Sequence, residues 1–245
     1  AGSLMEHGGI SARLIAVADV LLGRLVGGLS LVTIGASMFF GALTGAGNTA
    51  TAAVGSMMIP TMIKRGYGAA FAGAVTAIGG TMGILIPPSI ALIVYGIMAD
   101  VSIARLFLAG VVPGVILGMA LMVAAYLISR KRGYKGSDTQ FSVSGLGTAV
   151  NHGKWALMAP VIILGGIYTG IFSPTEAAGV ASVYAIFTTV LVYRDITLRE
   201  TFDVAARSMY LTAQIFIIVA VAGVYSWLLT VSGAASAATD FIGGL

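Results

Sequence analysis

Charge is scarce in this chain and cysteine is absent. Of 245 residues, 13 are Lys or Arg and 9 are Asp or Glu, 9% in all. A soluble domain carries roughly 25%. Without cysteine, neither disulfides nor thiolate metal sites can form. The two histidines, His7 and His152, flank loops and have no Ser, Asp or metal-ligand partner at a useful spacing. No nucleophile–base constellation and no pair of acids within an apolar run is present, so enzyme chemistry is not expected. The formal charge of +4 sits in short loops, where it reports membrane topology rather than nucleic-acid binding.

Apolar residues fill the space that charge leaves. Hydrophobic residues make up 58% of the chain, and uncharged runs cover 25–63, 66–99, 106–129, 155–175, 177–193 and 208–239. A spanning helix needs about 20 mostly apolar residues. The short alternating segments of an outer-membrane barrel are missing. The pattern predicts an all-α polytopic membrane protein, with the lipid bilayer as its surroundings. Residues 11–26 are amphipathic, with Arg13, Asp19 and Arg24 between apolar groups, and fit an interfacial or scaffold helix.

Two of these runs are broken in the middle. Thr44-Gly45-Ala46-Gly47-Asn48-Thr49 interrupts the first, and Gly83-Ile84-Leu85-Ile86-Pro87-Pro88-Ser89 the second. Broken backbone inside a bilayer is tolerated only where protein, water or an ion satisfies its polar groups, and a pair of such breaks points to a transport site. The arms of the first break, about 29–43 and 50–62, would reach only roughly 20–22 Å at 1.5 Å per residue. That is short of the ~30 Å hydrocarbon core. A re-entrant hairpin fits this length; two short tilted spans with a tight turn are the alternative. A broken helix then runs over about 68–98, followed by spans at about 104–128, 154–172, 175–193 and 207–230. The stretch from the basic cluster 130–135 to Gly153 reads as a polar loop.

With this layout Lys64, Arg65, the 130–135 cluster, Arg194 and Arg199 fall on one face, and Arg105 is the exception. The positive-inside rule makes that face cytoplasmic. Tyr67, Tyr126, Tyr134, Trp155, Tyr193 and Trp227 lie near helix ends, as interfacial anchors do. Ser173-Pro174-Thr175-Glu176 and Thr197-Leu198-Arg199-Glu200 match capping boxes, which gives Glu176 a structural reason to be there.

The two breaks supply what a small cation needs. Glycines let carbonyls turn inward, Thr44, Asn48, Thr49 and Thr51 add neutral oxygens, and the end of the first arm adds partial negative charge. Hard cations prefer such oxygen ligands. Pro87 and Pro88 remove two donors, which frees carbonyls between Gly83 and Ile86, and Thr81 and Ser89 add hydroxyls. Close helix packing through Gly45, Gly47, Ala50 and Ala53, and a simple proline kink, are the alternatives that need no ligand.

Longer motifs resemble a known family. Phe40-Gly41-Ala42-Leu43-Thr44-Gly45, Ile59-Pro60-Thr61-Met62-Ile63-Lys64-Arg65-Gly66-Tyr67, Ile86-Pro87-Pro88-Ser89, Leu106-Phe107-Leu108-Ala109-Gly110 with Pro113-Gly114, and Gly170-Ile171-Phe172-Ser173-Pro174-Thr175-Glu176 run in order through the chain. They resemble the large membrane (permease) subunit of tripartite ATP-independent periplasmic (TRAP) transporters.

The resemblance implies an ion-transporter-like fold of two inverted repeats, each with a re-entrant hairpin and a discontinuous helix, moving as an elevator within a scaffold. It implies Na⁺-coupled uptake of organic acids, of C4-dicarboxylate or sugar-acid type, across the bacterial inner membrane. Expected partners are a small membrane subunit and a periplasmic substrate-binding protein; no cofactor is expected beyond Na⁺ as coupling ion. Carried over, the ion site takes Thr44, Gly45, Gly47, Asn48, Thr49, Gly83, Ile86, Pro87 and Ser89, and the substrate meets Asn48, Thr51, Pro88 and Ser89. The family often has Ser-Gly-Ser at the hairpin tip, where this chain has Thr44-Gly45-Ala46, so one hydroxyl is lost.

Four segments follow from this reading: an interfacial or scaffold helix at 1–28, half a transport domain at 29–98, a span and cytoplasmic loop at 99–153, and scaffold helices that open the second repeat at 154–245. Both ends look cut, which predicts a piece of a longer protein that does not transport alone. Two other readings of the residues are a symporter that works without a binding protein and a non-transporting membrane scaffold module.

Overall fold

The computed structural model describes residues 1–136 and 143–233. These form helices and no strand. The chain divides into two compact units, Ala1–Thr201 and Phe202–Leu245.

The first unit opens with α1 (Gly2–His7) and α2 (Ile10–Leu22). Gly9, in the left-handed region at φ 66°, turns the chain between them. Helix α2 buries Ile10, Leu14, Val17 and Ala18, spaced three and four apart as one helical face requires. Its first turn reaches Asp195 through Arg13, at 2.6 Å. The residues after its other end come close to Gly136 through the carbonyl of Arg24. At 13 residues it is about 20 Å long, too short to cross a bilayer.

Helices α3 (Gly28–Thr44) and α4 (Gly47–Lys64) make a hairpin joined by only Gly45 and Ala46. The break is narrower than the expected 44–49. Gly45 takes φ 66° and closes α3, Ala46 is extended, and α4 begins at once, so Asn48, Thr49 and Thr51 lie in its opening turns. Helix α5 (Ala69–Leu85) packs along both arms, and after Ile86–Ser89 the chain continues as α6 (Ile90–Met98). Leu31, Ile34, Met62, Tyr67, Phe71 and Val75 form the core at the open end of the hairpin.

Helix α7 (Ile103–Lys131) is built inside out. Gly110, Gly114 and Gly118, one turn apart, face Leu85, Ile86 and Met38. Leu108, Val112, Ile116, Met119, Val123 and Leu127 are exposed. Small residues toward helices and large apolar residues outward is the pattern of a lipid-facing helix.

Helix α8 (Val143–Tyr168) starts well before the expected 154, so 143–153 of the expected polar loop are helix, while 137–142 of that loop lie outside the described residues. The reason is tertiary. A Cβ at Gly153 would lie 3.2 Å from Val17 and 3.7 Å from the Arg13 carbonyl, so α2 supports a segment whose Gly and Ser content alone favours a loop. Helix α9 (Pro174–Ile186) passes into a π-helical turn at Phe187–Val192, where the Thr188 and Thr189 hydroxyls donate to the carbonyls of Tyr184 and Ala185 at 2.8 and 2.7 Å. Phe107, Ile163, Ile167, Ala177 and Ala181 join α7, α8 and α9 in a second core. Both capping boxes form: Ser173 with Glu176, and Thr197 with Glu200 ahead of α10 (Leu198–Val231).

Among the described residues, four helical stretches are long and apolar enough to cross a membrane: Ala69–Met98, Ile103–Lys131, Pro174–Val192 and Leu198–Val231.

Candidate functional site

The site is built where the hairpin tip meets the Pro-Pro break. Helix α3 ends because Gly45 turns left-handed while its amide still donates to the Gly41 carbonyl at 2.8 Å. The freed carbonyl of Gly45 then accepts from the amide of Ile90, the first residue of α6, at 3.1 Å. A Cβ at Gly45 would come within 2.5 Å of the Pro88 carbonyl oxygen. Only glycine satisfies both the turn and the approach.

The approach continues along α5. A Cβ at Gly41 would meet the Cα of Gly83 at 2.6 Å, one at Gly47 the Gly80 carbonyl at 2.8 Å, and one at Gly83 the Ala46 carbonyl at 3.2 Å. Backbones this close leave no room for side chains, so the hairpin tip and the end of α5 are held by main-chain contact.

The break has its own hydrogen-bond logic. Pro87 and Pro88, joined by a cis peptide bond, cannot donate to the carbonyls of Gly83 and Ile84. The Ser89 hydroxyl replaces one missing donor by bonding to the Ile84 carbonyl at 2.5 Å, and it also accepts from the Leu92 amide to cap α6. Ser89 is fully buried. The carbonyls of Gly83, Leu85 and Ile86 take no donor among the described residues.

Four helix ends therefore converge. The C-terminal ends of α3 and α5 bring carbonyl oxygens and partial negative charge; the N-terminal ends of α4 and α6 bring amides and partial positive charge. The junction therefore brings both partial charges to one place, joined at the Ile90–Gly45 hydrogen bond. Among the described residues no three acidic or histidine side chains cluster, so the junction offers neutral oxygen ligands.

The residues expected at the site divide by what they face. Gly45, Gly47, Gly83, Pro88 and Ser89 lie at the junction itself. Thr44 bonds to the Ala46 carbonyl at 3.3 Å and packs against Gly2 of α1. The Asn48 side-chain oxygen accepts from the Thr49 amide at 2.9 Å, and the side chain is exposed. The Thr49 and Thr51 hydroxyls have no hydrogen-bond partner among the described residues, and Thr51 points at Gly80. Ile86 and Pro87 instead face Gly114 and Gly110 of α7, so at the junction they have only their backbone to offer.

Gly41, Gly80, Gly110 and Gly114 were not among the residues expected at the site, although they set its spacing. For three of them the signal was present as glycines four residues apart, Gly41 with Gly45 and Gly110 with Gly114 and Gly118, whereas Gly80 has no glycine at that spacing.

Comparison with known proteins gives the family. The model of the family described as tripartite ATP-independent periplasmic transporter, DctM component, matches residues 1–245. The chain belongs to this family. It is 42% identical, over 94% of its length, to the isethionate TRAP transporter permease protein DctMQ of Oleidesulfovibrio alaskensis, and covers 36% of that protein. It is also 42% identical over 94% of its length to the C4-dicarboxylate TRAP transporter large permease protein DctM of Pseudomonas aeruginosa, covering 53% of it. Identity to the sialic acid TRAP transporter permease protein SiaT of Haemophilus influenzae is 38%, with 89% of this chain and 35% of that protein covered. The chain thus spans about a third to a half of these TRAP permeases. Family and helices together make it a multi-pass membrane protein.

Proposed function

We propose that this chain carries one half of the ion and substrate site of a Na⁺-coupled secondary transporter that imports organic acids. The observation that carries the reading is the hydrogen bond from Ile90 to Gly45, which joins the two breaks. Na⁺ sits among the carbonyls at the ends of α3 and α5, with Thr44, Asn48, Thr49 and Ser89 close by. The acid group of the substrate meets the N-terminal ends of α4 and α6, beside Asn48, Thr51, Pro88 and Ser89. Ion binding ties the hairpin tip to the break, and that ordering favours the substrate-binding arrangement, a linkage between the two ligands. The loaded half then moves against the scaffold as an elevator.

The re-entrant path of the hairpin is supported by lengths. Its arms of 17 and 18 residues reach about 25–27 Å, short of the ~30 Å core. The tip stops at the break, whereas α6 runs nine residues further, about 14 Å. The hairpin opens to the cytoplasm with Lys64 and Arg65, in a bacterial inner membrane, and α2 lies along that face between two basic loops. Isethionate, C4-dicarboxylates and sialic acid, which appear in the names of relatives, are all acids. A C4-dicarboxylate or sugar acid delivered by a periplasmic binding protein, with a small membrane subunit completing the permease, fits them.

The test is uptake by the protein expressed from its complete gene and reconstituted with those partners. Asn48→Ala together with Ser89→Ala is expected to weaken Na⁺ dependence strongly. Thermal midpoints in Na⁺ and K⁺ check that the variant is folded. Unchanged Na⁺ dependence in the folded double variant would remove these residues from the site.

A further inference from the structure

At the opposite end of the hairpin, the loop after α4 and the loop after α7 close on each other. The Tyr67 and Tyr134 rings stack with centroids 4.2 Å apart, and Phe71 lies 5.5 Å from Tyr134. The Gly68 amide donates to the Tyr134 hydroxyl at 3.1 Å, the Tyr67 hydroxyl donates to the Lys135 carbonyl at 3.3 Å, and the Gly27 amide donates to the Tyr134 carbonyl at 3.2 Å. Gly66 and Gly133, at φ 83° and 71°, turn the two loops toward each other.

This clamp holds three cations, Arg65, Arg132 and Lys135, around one cavity of about 390 Å³. Arg132 is braced over the Phe71 ring, its guanidinium carbon 5.3 Å from the centroid. No described lining residue is acidic. Asp19 of α2 feels the charge of Arg65 but does not line the cavity, and the salt bridge of the described residues, Arg13 with Asp195, lies elsewhere. Gathering like charges in a fixed frame is unfavourable, and a bound anion removes the penalty.

The position identifies the anion. The cavity begins at Leu29, at the start of α3, some 25 Å of helix away from the junction at Gly45, so it is separate from the transport site. It lies where α4 and α7 end, and Ile63, Leu127 and Ile128, just before the basic residues, are exposed apolar side chains. A basic pocket between membrane helices, above an apolar surface, suits a lipid headgroup.

We propose that this cavity binds the phosphate of an anionic phospholipid, whose acyl chains lie along the exposed apolar residues. The phosphate bridges Arg65 of the hairpin to Arg132 and Lys135 of the α7 loop, and fastens the base of the hairpin to α7.

The test uses the protein from its complete gene, purified in neutral detergent, with cardiolipin, phosphatidylcholine and soluble glycerol phosphate as probes. Native mass spectrometry is expected to show cardiolipin retained by the wild type, together with a raised thermal midpoint. Arg65→Gln with Arg132→Gln is expected to weaken cardiolipin binding about thirtyfold, and Lys135→Gln alone about fivefold. Should the double variant fail to fold, Lys135→Gln, on the exposed loop, carries the test. Arg105→Gln, at the other end of α7, is expected to bind as the wild type does. Cardiolipin retention unchanged by the Arg65, Arg132 and Lys135 substitutions overturns the proposal, as does equal retention of phosphatidylcholine. Glycerol phosphate binding as tightly as cardiolipin assigns the cavity to a soluble phosphate and overturns the lipid.

Discussion

The amide of Ile90 donates to the carbonyl of Gly45 at 3.1 Å, which bonds the first peptide of α6 to the turn that closes the α3–α4 hairpin. Each of these groups is an orphan of its own element. Gly45 leaves the helix by its left-handed turn, and Ile90 follows a Pro-Pro pair that cannot continue one. Pairing them satisfies both and fixes the distance between the two breaks.

Gly45→Ala is expected to be far more damaging than Gly170→Ala. Both glycines are left-handed, at φ 66° and 75°, and either substitution costs about 1–2 kcal/mol for the backbone. At Gly170 a Cβ meets nothing within 4 Å, whereas at Gly45 it meets the Pro88 oxygen at 2.5 Å. A further loss of about 1–2 kcal/mol is expected there. Thermal unfolding of the two variants side by side checks it; equal loss would mean that the tip and break are not in close contact.

A second contrast lies between two glycines inside helices. At Gly73 of α5 a Cβ has open space, so Gly73→Ala is expected to stabilise by up to ~1 kcal/mol through helix propensity. At Gly41 of α3 the same methyl would sit 2.6 Å from the Gly83 backbone, and a loss of about 1–3 kcal/mol is expected. Denaturation midpoints that move in opposite directions would support the α3–α5 seam.

Arg13 anchors α2 by two contacts: an ion pair with Asp195 at 2.6 Å and stacking over the Tyr193 ring, 3.6 Å from its centroid. A double-mutant cycle with Arg13→Ala and Asp195→Ala is expected to give a coupling of about 0.5–1 kcal/mol, since both groups are partly exposed. Raised salt should reduce it. Because Tyr193 is a second partner, Arg13→Ala should cost more than Asp195→Ala. A coupling of zero at low salt would show that the pair does not hold α2.

Asp19 provides a pH dependence. Burial raises its carboxyl above the ordinary 3.8, partly opposed by the charge of Arg65. Since the folded value is the higher one, the folded state binds more protons, and this contribution to stability is full below about 3.8 and is lost as pH rises through the folded value. Asp19→Asn cannot ionise. Its thermal midpoint relative to wild type is therefore expected to rise from pH 3.5 to pH 7, and a flat difference would contradict the shift. Adding Arg65→Gln should enlarge the effect of burial on Asp19.

Much of the fold was legible because its signals are local. The extents of α3, α5 and α7 follow the apolar runs to within a few residues, and both capping boxes formed from their four-residue patterns. The two breaks were visible because Gly and Pro act on their own dihedrals. The width of the first break was not. Asn48 and Thr49 look like loop formers, yet Gly45 and Ala46 complete the turn and α4 begins at Gly47. The early start of α8 was hidden too, since the approach of Gly153 to Val17 of α2 has no local signal.

For the candidate site the division runs through single residues. Which backbone groups lack partners around Pro87 and Pro88 follows from covalent structure. That Ser89 bonds to the Ile84 carbonyl, and that Ile86 and Pro87 turn to α7, depends on what packs on either side.

The sequence by itself determined where apolar helices run, where they must break and which polar groups the breaks set free, because those are consequences of transfer energy and dihedral restriction acting over a few residues. Only the tertiary structure decided that the carbonyl freed at Gly45 meets the amide at Ile90. An orphaned group specifies that a partner is needed, and the packing of α5 against the glycine faces of α3 and α4 decides which partner comes within reach.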